Sequence, residues 1–330
     1  MTVRIGMMSF AHMHAHSYAA AVNALPTAEL AGIADHDPER ARQCAEAYGT
    51  RVFDSYTALA AADIDAVIIA SENARHRDLV EIAAAAGRHV LCEKPIATTV
   101  ADGQAMIAAC RDAGVQLMTA FPCRFSPAMR RLKSAVDEGQ IGGIIALRGT
   151  NRGRNPLGWF VEPAHSGGGA VIDHTVHVAD LMRWLLKDEV KEVYAEISNR
   201  MHHGDYDDCG LLTMEYESGV FATLDTSWSR PKSFPTWGDV TLAAVGEAGV
   251  LTLDMFAQNL VHYSDRTGGV AWHHWGSNID LLMVDAFVDA VRTGEPVPVT
   301  GEDGVAALEV ALAAYQSART GEPVPPAAVR

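Results

Sequence analysis

Short apolar runs alternate with helix-forming stretches through residues 1–120, and this alternation constrains the fold more than any other feature of the chain. Residues 3–7, 30–34, 52–53, 64–70, 89–92 and 115–120 read as strands. Helices are expected over 11–24, between an Asp37-Pro38 start and Gly49, over 75–85 before Gly87, and over 101–113 before Gly114. The run Ile64-Asp65-Ala66-Val67-Ile68-Ile69-Ala70 is apolar at almost every position, as in a parallel strand covered on both faces. Repeated β-α-β units with short connections predict a parallel sheet between two helical layers.

The second half has another rhythm. Strand-like segments at 144–152, 190–199, 210–216, 219–227, 239–245 and 250–253 follow one another, some joined by turns such as Glu217-Ser218-Gly219. Strands without intervening helices predict an open, mainly antiparallel sheet. Helices are expected at 170–186, 279–292 and 304–317, with an irregular tail from 321. The reading is therefore an α/β Rossmann domain over 1–122 and an α+β domain over 123–330.

Composition narrows the classes of partner. With 48% hydrophobic and 20% charged residues the chain is globular. No apolar stretch approaches the ~20 residues of a membrane span, and Arg4 inside the first run argues against a secretory leader. Five scattered cysteines without a CxxC pair point to a reducing cytoplasm. A formal charge of −15 with no basic block argues against a nucleic-acid surface.

The turn after the first strand is Gly6-Met7-Met8-Ser9-Phe10-Ala11. Against GxGxxG/A it keeps the first glycine and the final small residue, and Met8 replaces the middle glycine. Asp35 closes the second strand, where a carboxylate accepts from the adenosine ribose hydroxyls and repels a 2′-phosphate, which selects NAD. His12, His14 and His16 alternate after the turn. If helical, only His12 and His16 share a face, so no metal is assigned there. Further on, Glu93-Lys94-Pro95 ends a parallel strand, at the edge where such sheets bind ligands. Lys94 there can polarise or protonate an alcohol oxygen.

On these segments the chain resembles the glucose–fructose oxidoreductase / inositol dehydrogenase / rhizopine-catabolism family, Gfo/Idh/MocA. The resemblance continues through Ala70-Ser71-Glu72-Asn73-Ala74-Arg75-His76 and Arg124-Phe125-Ser126-Pro127. It extends over Ser166-Gly167-Gly168-Gly169-Ala170-Val171-Ile172-Asp173 with His177 and Asp180, and over 299–304. It implies that Gly6, Met8, Ser9, Phe10, Ala11, Asp35, Ser71, Asn73, His76, Glu93 and Lys94 hold NAD. It also implies sugar or cyclic-polyol substrates and a homodimer or homotetramer built on the second sheet. Glu72, Pro122 and His174 depart from the family pattern.

Asp173 and His177, four apart, share one helix face that Asp180 continues. By resemblance Lys94, Asp173 and His177 form the reaction centre, with Lys94 and His177 in proton transfer. Arg124, Trp159 and His174 join Lys94, Asp173 and His177 in binding substrate. Trp237, Trp272 and Trp275 are further stacking surfaces for a sugar ring. Three alternatives share these residues: transient NAD use without net oxidation, a metal-dependent lyase, and a non-catalytic ligand binder. The lyase would join His174 to His202, His203, His273 or His274.

Overall fold

A computed structural model describes residues 2–257, 259–266, 269–274 and 276–330. The chain forms two compact units. The first contains Met1–Pro122, Ala164–Gly167 and Ile279–Leu308, and so takes in two segments beyond the N-terminal stretch.

In the first unit β1 (Val3–Met8), β2 (Ala28–Ala34), β3 (Ala66–Ile69), β4 (His89–Cys92) and β5 (Leu117–Thr119) make one sheet in the order β2-β1-β3-β4-β5. All strand pairings in it are parallel. Every residue of β3 is buried, as its unbroken apolar run requires. The helices are α1 (His14–Ala24), α2 (Pro38–Tyr48), α3 (Tyr56–Ala60), α4 (His76–Ala85) and α5 (Val100–Asp112). Asp37 caps α2 by accepting from the Glu39 and Arg40 amides, and Gly49 ends it in a left-handed conformation, φ 68°.

The strand expected at 52–53 is reduced to one bridge between Val52 and Ile33 beside β2. Ser55 accepts from the Ala58 amide and starts α3 at once, which leaves no room for a longer strand. With that bridge the sheet has the Rossmann strand order, and its direction of winding reverses between β1 and β3.

In the second unit the helices are α6 (Pro127–Asp137), α7 (Pro163–Ser166, shared with the first) and α8 (Ala170–Leu186). The strands β6 (Ile144–Gly153), β7 (Val190–Ser198), β8 (Cys209–Tyr216), β9 (Phe221–Asp225), β10 (Gly238–Gly246) and β11 (Gly249–Asp254) form a sheet in the order β11-β10-β6-β9-β8-β7. Only the β6–β9 pairing is parallel. The hairpin of β12 (Asn259–Ser264) and β13 (Gly269–His274) is separate. Among the described residues, α9 (Ile279–Thr293) and α10 (Gly301–Thr320) follow. The apolar side of α9 buries Met283, Val284, Phe287 and Val288, and Ser17 of α1 donates to Asp280 at 2.5 Å, which ties α9 into the first unit. The tail is less irregular than expected, because Val324 bridges Val193 and a 3-10 turn covers Pro326–Val329.

One face of the six-stranded sheet packs under α8: a Cβ at Gly149 would stand 2.6 Å from Val178 and 2.8 Å from Met182. The other face is read from the register. Val250 pairs Val245, Val245 pairs Ala146, Ala146 pairs Phe221 and Phe221 pairs Glu215. Paired residues share a face, and on this one Val250, Val245 and Phe221 are exposed, as is Leu211, four residues from Glu215 along β8 and so on the same face.

Candidate active site

The carboxyl ends of β1, β2, β3 and β4 carry the first group of expected residues. Met8 completes β1, fully buried, and the left-handed residue is the next one, Ser9, with φ 72°. The turn therefore begins one residue later than the glycine pattern suggests, and Met8 packs inside the sheet between Ala34 and Ile69. Gly6 is demanded by packing, since a Cβ there would lie 3.0 Å from the Leu59 side chain.

Asp35 ties this turn to β2. It accepts from the Phe10 amide at 2.7 Å, the Asp37 amide at 3.0 Å and the Ser9 hydroxyl at 3.3 Å. Arg40 adds a bidentate pair at 2.8 and 2.6 Å. Burial works to raise this carboxyl, but the Arg40 bonds and the Asp37 and Phe10 amides hold it below the usual range. A ribose hydroxyl would have to share these oxygens with Arg40. The Ala11 amide donates to Ser9 and the His12 amide to the Ala70 carbonyl, which closes the turn.

The loop after β3 holds Ser71, Glu72, Asn73 and His76, all buried. Asn73 donates to the Ser166 carbonyl at 2.8 Å, and its Oδ1, like Glu72 Oε2, is buried without a protein partner. Buried orphan acceptors at the switch point fit a ligand that brings donors, so these residues suit a nicotinamide nucleotide. His76 does other work. Its Nδ1 donates to the Pro95 and Ile96 carbonyls, 3.0 and 3.2 Å away, and so holds the chain just after Lys94. Burial lowers its pKa and keeps the ring neutral.

Glu93 is wholly buried at the end of β4. Its Oε1 accepts from Tyr18 at 2.5 Å and from His14 Nδ1 at 2.7 Å, and its Oε2 accepts from the Lys94 amide at 2.7 Å. Burial would raise the Glu93 carboxyl, but His12, His14 and Lys94 hold it well below the usual carboxylate range. Burial would lower the His14 imidazole, and Glu93 beside it reverses the sign and raises it. A depressed carboxyl stabilises the fold above its unfolded pKa of about 4.3, and that contribution is lost as pH falls through the folded value. A raised imidazole stabilises below about 6.5 and is lost as pH rises through the folded value. The pair is thus strongest between those limits. In an NMR titration His14 should titrate above about 6.5, and Glu93→Gln should bring it down. An unmoved His14 midpoint in that variant would remove the pairing.

His12, His14 and Glu93 also offer three ligand atoms within 4.8 Å of one another. Hydrogen bonds use part of this donor set: His12 Nδ1 accepts from the His14 amide, and Glu93 accepts from Tyr18 and His14. The site is built as a hydrogen-bonded cluster around one carboxylate.

In the second unit, every residue of α8 from Ala170 to Asp180 is buried, including Asp173, His174, His177 and Asp180. Ionisable groups on a buried helix need partners. Asp173 Oδ2 accepts from Trp228 Nε1 at 3.2 Å and lies 3.2 Å from His174 Nε2. His174, the departure from the family pattern, thus reaches the candidate catalytic carboxylate. A Cβ at Gly153 would meet its ring at 2.7 Å. Arg124 forms a buried bidentate pair with Asp180, 2.7 and 2.5 Å, with its guanidinium over Trp184. Trp159 stacks on Phe160 at 3.9 Å, and Tyr206 and Trp228 complete that aromatic group. Of the remaining polar residues, His202 pairs with Asp208 at 3.2 Å, His203 is exposed and Trp237 is half exposed. Trp275, and the side chains of Trp272, His273 and His274, lie outside the described residues.

Asp207 fixes the start of α8. It accepts from the Gly169 and Val171 amides at 2.8 and 2.7 Å and from Tyr315 at 2.7 Å. A Cβ at Gly169 would come within 1.9 Å of the Asp207 carbonyl oxygen, so only glycine admits this approach. Burial raises the Asp207 carboxyl while these donors oppose the shift. Asp207→Ala should cost about 2 kcal/mol, from a lost cap and stranded amides. Chemical denaturation checks this, and an unchanged midpoint would show the cap to be idle. Sequence reasoning missed Tyr18, Trp228, Asp207 and Tyr315. Only Tyr18 left a trace, four residues after His14 on the same helix face.

Comparison with known proteins agrees with this fold. The family model described as oxidoreductase family, NAD-binding Rossmann fold, matches residues 3–121. The GFO/IDH/MocA C-terminal domain matches residues 129–252. The chain is 30% identical to inositol 2-dehydrogenase of Rhizobium meliloti, covering 96% of this chain and 97% of that one. It is 29% identical to myo-inositol 2-dehydrogenase of Thermotoga maritima, covering 95% and 94%. The solved structure of GenD2 from gentamicin A biosynthesis, in complex with NAD, superposes with a TM-score of 0.91 at 27% identity, over 98% of this chain and 96% of that one.

Proposed function

Because the chain belongs to the GFO/IDH/MocA oxidoreductase family, we propose that it oxidises a secondary hydroxyl of a cyclic polyol or sugar, with Lys94 and His177 carrying the proton. NAD supplies the hydride acceptor when bound. The hydride leaves the carbinol carbon, the hydroxyl proton passes to Lys94 or His177, and the C–O bond becomes a ketone, so atoms and charge balance. Asp173, which accepts from Trp228 and lies beside His174, is the carboxylate of this reaction centre. The turn over Ser9, Phe10 and Ala11, with Asp35, Ser71 and Asn73, holds the nucleotide.

One observation carries the reading: ionisable residues are concentrated on two buried elements, the end of β4 and the first turns of α8. Burying Glu93, Lys94, Asp173, His174 and His177 is costly, and buried titratable groups gathered in this way are the mark of a functional site. The polyol class comes from the relatives, whose names are inositol 2-dehydrogenases.

The test is direct. Purified protein is denatured, released nicotinamide nucleotide is identified, and native protein is assayed with myo-inositol, scyllo-inositol and D-xylose against NAD and NADP. NADH formed in step with ketone supports the reading. Turnover without net NADH, or none on any polyol, overturns it.

The exposed face of the six-stranded sheet supports self-association as a dimer or tetramer. Leu211→Glu with Phe221→Glu should shift the protein to monomer in light scattering, and an unchanged mass would exclude that face. A cytoplasmic location suits the thiols: Cys44, Cys92 and Cys110 are buried, and burial pushes Cys110 up to about 12. Among the described residues no helix is long and apolar enough to cross a membrane.

A further inference from the structure

We propose that Tyr18 and His14, acting through Glu93, are positioning residues for Lys94. The proposal rests on the reading that Lys94 transfers a proton, and it adds the group that sets where Lys94 stands.

The Lys94 amide donates to the carboxylate of its own neighbour, Glu93, at 2.7 Å. A bond between adjacent residues fixes the plane of the peptide joining them, and with it the direction in which the Lys94 side chain departs. The carboxylate can do this only if it is itself immobile. Tyr18 and His14 provide that restraint: Tyr18 donates to Oε1 at 2.5 Å, and His14 Nδ1 lies 2.7 Å from the same atom. Tyr18 and Glu93 are wholly buried and Lys94 nearly so, so water does not compete for the Tyr18 and Lys94 bonds.

Tyr18 and His14 are four apart on α1, one turn above the other. Helix α1 starts directly after the nucleotide turn, and Ser17, three residues after His14, ties it to Asp280 of α9. The groups facing His14 are therefore Glu93 and Lys94 from the end of β4, Asp280 from α9, and His12 and Tyr18 beside it. Their arrangement makes α1 the part that connects the nucleotide turn to Lys94. A misplacement of about an ångström in a reacting group costs up to ~100-fold in rate, which is the scale on which this cluster acts.

The competing use of the same atoms is a metal ion on His12, His14 and Glu93. The hydrogen bonds already made by those atoms favour the positioning role.

The experiment compares wild type with Tyr18→Phe, Glu93→Gln, Lys94→Ala and the double variant Glu93→Gln/Lys94→Ala. Three quantities are read: the kcat for myo-inositol with NAD, the KM for NAD, and hydrogen exchange at the Lys94 amide. Tyr18→Phe should lower kcat by ~10-fold and Glu93→Gln by up to ~100-fold, each by a larger factor than it raises KM for NAD. In the Lys94→Ala background Glu93→Gln should add nothing further, because the residue it positions is gone. Exchange at the Lys94 amide should accelerate in both single variants by more than at the other amides of β4, so that the lost stability of the Glu93 bonds does not account for it. The positioning role is overturned if Glu93→Gln lowers the residual Lys94→Ala rate as much as it lowers the wild-type rate. It is also overturned if amide exchange is unaltered in both variants, or if the purified protein carries an equivalent of zinc removable by chelation. Should Lys94→Ala turn over like wild type, proton transfer by Lys94 fails, while accelerated exchange still upholds the Glu93–Lys94 restraint. If wild type does not oxidise myo-inositol, the exchange measurement alone decides.

Discussion

Lys94→Ala is expected to lower NAD-dependent oxidation of a cyclic polyol by roughly 10²–10⁴-fold, the range typical of losing a general acid–base group. NAD affinity should change little, because the nucleotide turn is held by backbone bonds and by Asp35, none of which involves the Lys94 side chain. The fold should survive as well. The Glu93 carboxylate keeps Tyr18, His14 and the residue 94 amide as donors whatever side chain stands at 94. His177→Ala should show a loss of the same order, since the proton has two candidate carriers and the reading assigns work to both. Initial rates of NADH formation and a fluorescence titration with NADH measure the two effects separately. Wild-type rates in both variants would end the proposed mechanism. A loss of NADH affinity equal to the loss of rate would make Lys94 a cofactor ligand only.

The largest effect on stability is expected at Arg124 and Asp180. Both are buried, and the guanidinium grips the carboxylate with two hydrogen bonds. Removing one partner leaves a charge in the interior, and such single truncations cost about 3–5 kcal/mol. Arg124→Ala and Asp180→Ala should each lower the unfolding free energy by that amount, seen as a lower denaturation midpoint. Replacing both together with Met and Leu should recover much of it, since the desolvation cost disappears with the charges. The comparison also discriminates between two roles for Arg124. Read in the sequence, Arg124 binds substrate; in the fold, its side chain is committed to Asp180. A substrate ligand would raise KM and leave the midpoint where it was, and that outcome would restore the first role.

The parallel sheet was legible because its cause is local. A strand covered on both faces must be apolar at consecutive positions, so residues 64–70 declare β3 without help from the rest of the chain. The caps of α2 are equally local, because Asp37 bonds amides only two and three residues away. The strand at 52–53 failed for a local reason too, the early start of α3 at Ser55.

The candidate site was legible in its residue types and not in its pairings. Lys94, Asp173, His174 and His177 stand out as charged or titratable groups inside segments that otherwise read as buried. That Asp35 would be gripped by Arg40, Asp173 by Trp228, and α8 capped by Asp207 and Tyr315 had no local sign. Spacing along a helix or strand settles which face a side chain takes, through a fixed period of a few residues. It cannot say which atom arrives from 55 or 108 positions away, as Trp228 does at Asp173 and Tyr315 at Asp207. Those meetings follow from how whole elements pack, and they determine which carboxylates are occupied and which remain for chemistry.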